Sequence, residues 1–569
     1  MADSSARKSE AWPPPGPTGN LLVLSKPAWT TTLQPLLKNA FLVLFTGTTV
    51  ICIALAVLLL SSARPFIGGV DFFYYVLFAR DLAGDATDVP VNRYIYFPGV
   101  YSFWTTAFLV SNGSLESLQW AYVGVLLANA LLTGLILSSL TGIWQAGVLA
   151  TAVYVFAAAR IEGLSGCTEP IATIPFLLGM WLFLLLRGSR RPALSLLALG
   201  TGFGLALFAK QQGGLLFFGS LGLLPLIFVT SEPGRYRMSH LLLLPLSAGG
   251  MFLLAMLLEG GGVLALVEAI HYATSYRPQG SWFEHVDRAR VLTRPVSNLF
   301  LSACALWVPL TLLHRKRPLA SDAVLLALGL SVWSALGGLL QFSRRGYLHY
   351  ALLILPSAIT AAGLAVWIVT TWIEQSVRLR SRLVAPVAIA GIALFLWVNS
   401  AGAADFVRYA AEQIASPTQR VRPDETRKTF APLCERIRPG SDLLLIPSRD
   451  NILHWICRTR SVSYRAGYGW WPGDLGPYLD ALSSPSLDHV FVFSDEHGPF
   501  EQQFFRRNDR AFLIRELHRH GYQEVLAFRE GRLFANARGP RSPTVDHGAP
   551  FSPPAAPTTF VSVQRRTRG

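Results

Sequence analysis

The chain has 569 residues, 51% of them hydrophobic and only 15% charged, where soluble domains carry about a quarter charged residues. That composition points to a membrane protein rather than a water-soluble domain. The formal net charge is +15, from 49 Lys and Arg against 34 Asp and Glu. The basic residues fall in short clusters between apolar runs, the pattern of cytoplasmic loops, and that argues against nucleic acid as a partner.

Residues 1–40 include Pro13 to Pro15 and no apolar core, and read as a disordered cytoplasmic segment. The apolar run Phe41 to Leu60 starts too far from the N-terminus for a signal peptide and reads as a retained first helix. Further helices are expected at 118–140, 143–160, 170–187, 193–209, 213–230, 240–258, 296–314, 319–340, 347–372 and 384–400. Charge tests this division. With Arg7, Lys8, Lys26 and Lys38 on the cytoplasmic side, the same side receives Arg187, Arg190 and Arg191, then Arg235 and Arg237. It also receives Arg315, Lys316 and Arg317, then Arg378, Arg380 and Arg382, as the positive-inside rule requires.

The expected fold is therefore an all-α polytopic membrane core, residues 41–400, with about 11 transmembrane helices. Two long outer loops, 62–117 and 259–295, interrupt it, and loops of this length are more often functional than idle. Residues 401–539 read as a small α/β extracytoplasmic domain. Within it "SDLLLIP" (441–447) and "DHVFVFSD" (488–495) are expected strands, 500–521 an amphipathic helix, and "EVLAFREGRLFANA" a strand pair. Residues 540–569, rich in Pro, Ser and Thr, read as a disordered tail. Cys434 and Cys457 are the two cysteines of this domain, and they could pair in an extracytoplasmic setting.

In the first outer loop, Asp71 is followed directly by "FFYYVLF". An acid at a helix end is ordinarily a solvated charge. One drawn back onto apolar surroundings is instead partly desolvated, which makes it a stronger base when ionised. Phe72–Leu82 and Tyr101–Val110 read as amphipathic stretches lying in the interface, and the aromatics of Tyr96–Trp104 suit headgroup level. Asp81, Asp85 and Asp88 follow; a divalent ion, Mg²⁺ or Mn²⁺, could sit between such carboxylates, although a polar loop is the plainer account of Asp85 and Asp88.

Taken in order, "VDFFYYVLFARDLAGD", the spacer "ATDVPVNRYI" and "YFPGVYSFW" resemble the first extracytoplasmic loop of one glycosyltransferase group in the GT-C superfamily. These enzymes depend on polyprenyl-phosphate sugars; the branch is the dolichyl-phosphate-mannose mannosyltransferase-like (family 39) and RgtA/B/C/D-like one. The resemblance spans about residues 41–400 and leaves the C-terminal domain unmatched. It implies an inverting transfer of a hexosyl or pentosyl group from a polyprenyl-phosphate donor to an acceptor hydroxyl, with Asp71 as the catalytic carboxylate of the loop, which binds or deprotonates that hydroxyl. It implies donor-phosphate contacts from Lys210 in "LFAKQQGG" and from Arg344 and Arg345 in "QFSRRGYLHYALLILP", and substrate contacts from Tyr96, Pro98, Glu162, Gln211, His349 and Tyr350. The donor, the bilayer and a glycan, lipid or protein acceptor are the implied partners, in a bacterial inner membrane with the N-terminus cytoplasmic.

Other accounts stand beside these. A snorkelling lysine is the ordinary reading of Lys210, and anionic headgroup binding that of Arg344 and Arg345. Thr168-Glu169-Pro170 reads as a helix start in which Thr168 caps and the acid suits the helix dipole. Gly200, Gly202 and Gly204 read as helix-packing positions. A transporter or flippase of lipid-linked sugars is the alternative function, and it would call for ionisable groups in mid-helix.

Overall fold

The computed structural model describes scattered positions between 43 and 60, then 67, 70–83, 98–160, 163, 166–187, 192–210, 213, 216, 238–259 and 267. It continues with 348–375, 423–447, 451–461, 475–484, 486–494, 504–505 and 508–537. The chain divides into two compact units, Met1–Ile51 and Cys52–Gly569. In the first, Val43, Thr46, Gly47 and Val50 have helical backbone. The elements named below belong to the second.

Helix α1 spans Val70–Ala83 and α2 Gly99–Val110. Helix α3, Leu115–Thr141, starts where the Ser114 side chain accepts from the Ser117 N–H and stops at Gly142, whose φ of 67° only glycine adopts without strain. Its 27 residues reach about 40 Å, more than a bilayer core requires. Then come α4 (Trp144–Arg160), α5 (Glu169–Arg187), α6 (Pro192–Ala209) and α7 (Leu243–Glu259). A 3₁₀ turn, Leu348–Tyr350, leads into α8, Ala351–Gln375. Among the described residues, three helices are long and apolar enough to cross a membrane: Leu115–Thr141, Glu169–Leu186 and Ser239–Glu259. The helices expected from the sequence at 118–140, 143–160, 170–187, 193–209, 240–258 and 347–372 coincide with α3 to α8, three of which are long and apolar enough to span. Those at 213–230, 296–314, 319–340 and 384–400 lie outside the described residues, apart from Gly213 and Leu216.

Side chains on these helices are apolar nearly all round, so small residues decide where backbones meet. A Cβ on Gly202 would stand 2.5 Å from the Pro175 carbonyl of α5, and one on Gly200 2.5 Å from the Leu244 carbonyl of α7. The glycines of α6 are thus packing positions. Helix α8 lies against α3, α4 and α5.

The first outer loop departs from expectation. Phe72 to Ala79 are all buried, as are Tyr101 and Trp104. Phe72–Ala79 leave no apolar face open, whereas Leu109 and Val110 at the end of α2 are exposed. Helix α1 is covered by α2 and by a helix of the C-terminal domain, and protein takes the place that the amphipathic reading assigned to the interface.

The C-terminal domain runs α9 (Pro423–Thr429), α10 (Ala431–Arg436), β1 (Asp442–Ile446), α11 (Ile452–Ile456), β2 (Arg460–Ser461), α12 (Gly476–Leu482), β3 (His489–Phe493), α13 (Arg510–Arg519), β4 (Tyr522–Phe528) and β5 (Gly531–Asn536). The sheet order is β2-β1-β3-β5-β4. Strand β1 pairs parallel with β2 and β3, whereas β5 pairs antiparallel with β3 and β4. Alternation splits the core. Leu444, Ile446, Val490 and Val492 pack beneath α12 and α13, while Leu443, Leu445, Phe491 and Phe493 pack with Phe430 and Leu433 on the other face. Helix α13 is shorter than the expected 500–521 because Asp509 caps it, accepting from the Ala511 N–H at 2.8 Å. A disulfide joins Cys434 of α10 to Cys457 at the end of α11.

Candidate functional site

Three helix ends far apart in the chain converge: the start of α5, the end of α6 and the turn before α8. Lys210, directly after α6, places Nζ 2.5 Å from Glu169 Oε1 and 2.5 Å from Thr168 Oγ1. The lysine is 2% exposed and the glutamate 0%. Each charge sits where the helix dipole favours it, the acid at an N-terminus and the cation at a C-terminus. The Tyr350 ring centre is 5.8 Å from Nζ, and His349, edge-on to Tyr350 at 4.7 Å, is within electrostatic reach of Glu169. Glu169 Oε2 is buried and has no hydrogen-bond partner among the described residues.

The surrounding shell combines polar anchors with aromatic rings. Asn129 of α3 donates to the Pro170 carbonyl at 2.7 Å and accepts from Thr173 at 2.7 Å, which anchors the first turn of α5. Tyr122 stacks on Trp104 at 6.1 Å, and its hydroxyl lies 3.3 Å from Cys167 Sγ. Trp104 meets Phe72 edge-on at 5.2 Å. At Gly166, with a left-handed φ of 81°, an added Cβ would stand 2.5 Å from Phe72 Cβ. An added Cβ on Gly99 would stand 2.7 Å from Ala209 Cα, so the turn of buried Pro98 and half-buried Gly99 abuts the residue before Lys210.

Of the residues expected to form a site, Lys210, His349 and Tyr350 meet here, with Pro98 alongside. For Asp71 the backbone lies in α1, next to Phe72 of the shell, while its side chain is outside the described residues. Tyr96, Glu162, Gln211, Arg344 and Arg345 also lie outside the described residues. Glu169 is more than a helix start: it is the buried counter-ion of a lysine 41 positions away, a relation no local pattern carries. Among the described residues no three His, Cys, Asp or Glu gather as a metal site. The side chains of Asp81, Asp85 and Asp88, on which a divalent ion would also depend, are outside the described residues.

The described residues define a mostly helical protein with membrane-capable helices, a buried charged cluster where three helices converge and a small C-terminal sheet domain. No protein-family model matches the chain, and no curated protein is similar to it. Solved structures similar to it include those of an oligosaccharyltransferase from Archaeoglobus fulgidus. The chain is 11% identical to AglB in complex with an inhibitory peptide and a dolichol-phosphate, covering 86% of this chain and 74% of that one at a TM-score of 0.49. The apo form matches with the same identity and coverage at 0.46. A form tethered to an acceptor peptide is 11% identical and covers 85% and 74%, at 0.41.

Proposed function

We propose that the chain is a membrane glycosyltransferase that moves a sugar from a polyprenyl-phosphate donor to an acceptor hydroxyl on the extracytoplasmic side, with inversion. The observation that carries this reading is the buried Lys210–Glu169 pair, flanked by His349 and Tyr350, beside the turn that opens α2. Ionisable groups buried inside a membrane protein mark a pathway or a ligand site by default. The motif order of the first loop, which resembles the GT-C glycosyltransferases, supplies the reaction class.

In this reading the donor's lipid stays in the bilayer, among about eleven spans, while its sugar phosphate reaches the cluster. The acceptor oxygen attacks the anomeric carbon opposite the phosphate. A new C–O bond forms, and the bond to phosphate breaks with its electron pair leaving on polyprenyl phosphate. Asp71 takes the acceptor's proton. Lys210, Arg344 and Arg345 stabilise charge gathering on the departing phosphate, the larger electrostatic demand of the step. Glu169 pairs with Lys210 in a site that water does not reach. Tyr96, Pro98, Glu162, Gln211, His349 and Tyr350 line the sugar.

Purified protein given a polyprenyl-phosphate-linked sugar is expected to release polyprenyl phosphate, and Asp71→Asn to lower that rate by about 10²- to 10⁴-fold. A folded Asp71→Asn protein with full activity sinks the reading. Translocation of intact lipid-linked sugar without cleavage would replace it with transport.

A further inference from the structure

The last turn of α1 carries Arg80, which reaches into the C-terminal domain. Its Nη2 donates to the Thr459 carbonyl at 2.7 Å and its Nη1 to the His454 carbonyl at 3.3 Å. Those carbonyls are presented together by the way α11 stops. Cys457 closes the helix, and Arg458 takes a left-handed φ of 55°. The Thr459 N–H then returns to the His454 carbonyl at 3.0 Å and the Arg458 N–H to Trp455 at 3.4 Å. This is a Schellman stop, in which helix-end carbonyls cluster with their dipoles pointing outward. A guanidinium with forked donors matches two such oxygens, and a cation suits a helix C-terminus.

The socket is stiffened from within. His454 and Thr459 are fully buried and share a 2.9 Å hydrogen bond between Nδ1 and Oγ1, and the Cys434–Cys457 disulfide ties the same turn to α10. A second contact lies alongside, with Trp455 edge-on to Phe108 of α2 at 6.4 Å. Arg80 stands nine residues after Asp71, about 13 Å along one continuous helix. Whatever fixes Arg80 therefore fixes the axis on which Asp71 is mounted.

We propose that Arg80 is a positioning residue: by engaging the His454 and Thr459 carbonyls it locks the helix bearing Asp71 to the C-terminal domain, so that transfer depends on the docked domain. The catalytic half of this proposal rests on the glycosyltransferase reading. The docking half rests on geometry alone.

The test uses the full-length detergent-solubilised protein and its Arg80→Ala, Arg80→Lys and Trp455→Ala variants. Hydrogen exchange across 70–83 is read beside polyprenyl-phosphate release. Arg80→Ala is expected to speed exchange in α1 and to lower kcat by about a hundredfold, with the donor KM little changed. Arg80→Lys, which keeps the cation on a single donor nitrogen and loses the fork, is expected to recover part of both; Trp455→Ala should loosen α1 less than Arg80→Ala does. Unchanged exchange in Arg80→Ala overturns the clamp whatever the activity. Faster exchange with unchanged kcat, or a loss confined to KM, overturns the positioning role. Should the native protein release no polyprenyl phosphate, the transfer reading falls, and faster exchange in Arg80→Ala still supports the clamp.

Discussion

Lys210 and Glu169 are 2% and 0% exposed, whereas Arg532 and Glu524, paired at 3.2 Å on the C-terminal hairpin, are 46% and 34% exposed. The two regions join the same kinds of groups to different effect. On the hairpin, water solvates each charge about as well as its partner does. Where α5, α6 and α8 meet, each ion is the other's replacement for lost water, so the pair is expensive to break and weak as a net stabiliser. Burial, not the distance between the charges, separates a pair that a fold can lose from one that it cannot.

Breaking the buried pair gives the largest expected effect. Glu169→Leu or Lys210→Met alone leaves an uncompensated charge and is expected to cost about 3–5 kcal/mol. The double variant should recover most of that stability while transfer stays impaired. Thermal unfolding in detergent reads both outcomes, and single variants as stable as the native chain would erase the contrast between the regions.

Next in size is the disulfide, the device by which the small C-terminal domain supplements its core. Cys434 and Cys457 are 23 residues apart, and replacing both by Ser is expected to lower that domain's stability by about 3 kcal/mol. The domain's unfolding followed with and without reductant checks it; a native chain indifferent to reductant would contradict it.

His454 gives an effect comparable to that of the disulfide, and one that depends on pH. Its pKa is pushed down from 6.5 to about 3, first by burial and then by the Arg80 cation. The unfolded chain takes up this proton near 6.5, and the fold only near 3. The stability that goes with the neutral ring is therefore complete above 6.5 and falls as pH drops through that window, by about 1.4 kcal/mol per unit. His454→Gln should flatten unfolding curves measured between about pH 7 and pH 4. The smallest change comes from the hairpin pair: Arg532→Ala is expected to shift unfolding by no more than about 1 kcal/mol, and less at high salt.

Much of the framework was legible. The apolar runs that became α3 to α8 announce themselves by length and hydropathy, and their ends agree within a few residues because caps such as Ser114 and Gly142 are local signals. "SDLLLIP" and "DHVFVFSD" are short apolar runs between turn residues, and they became β1 and β3. Two-residue β2 carries too little pattern to be read. The Phe72–Leu82 stretch of the first loop misled for a different reason. Its aromatic run suits an interface, and nothing within the run says that protein will cover it on every side. The site was half legible: Lys210 stood out as a cation against the charge bias, while Glu169 looked like an ordinary helix start.

By itself the sequence determined what local chemistry can encode: where helices and strands run, where they stop, and which segments demand a membrane, because propensity, capping and hydropathy act over a few residues. Only the tertiary structure decided which groups meet. Lys210 found Glu169, Arg80 found the carbonyls of α11, and Phe72 found Gly166 because a buried charge, an open helix end and an apolar ring must each be satisfied by whatever the fold brings within reach, however distant in the chain.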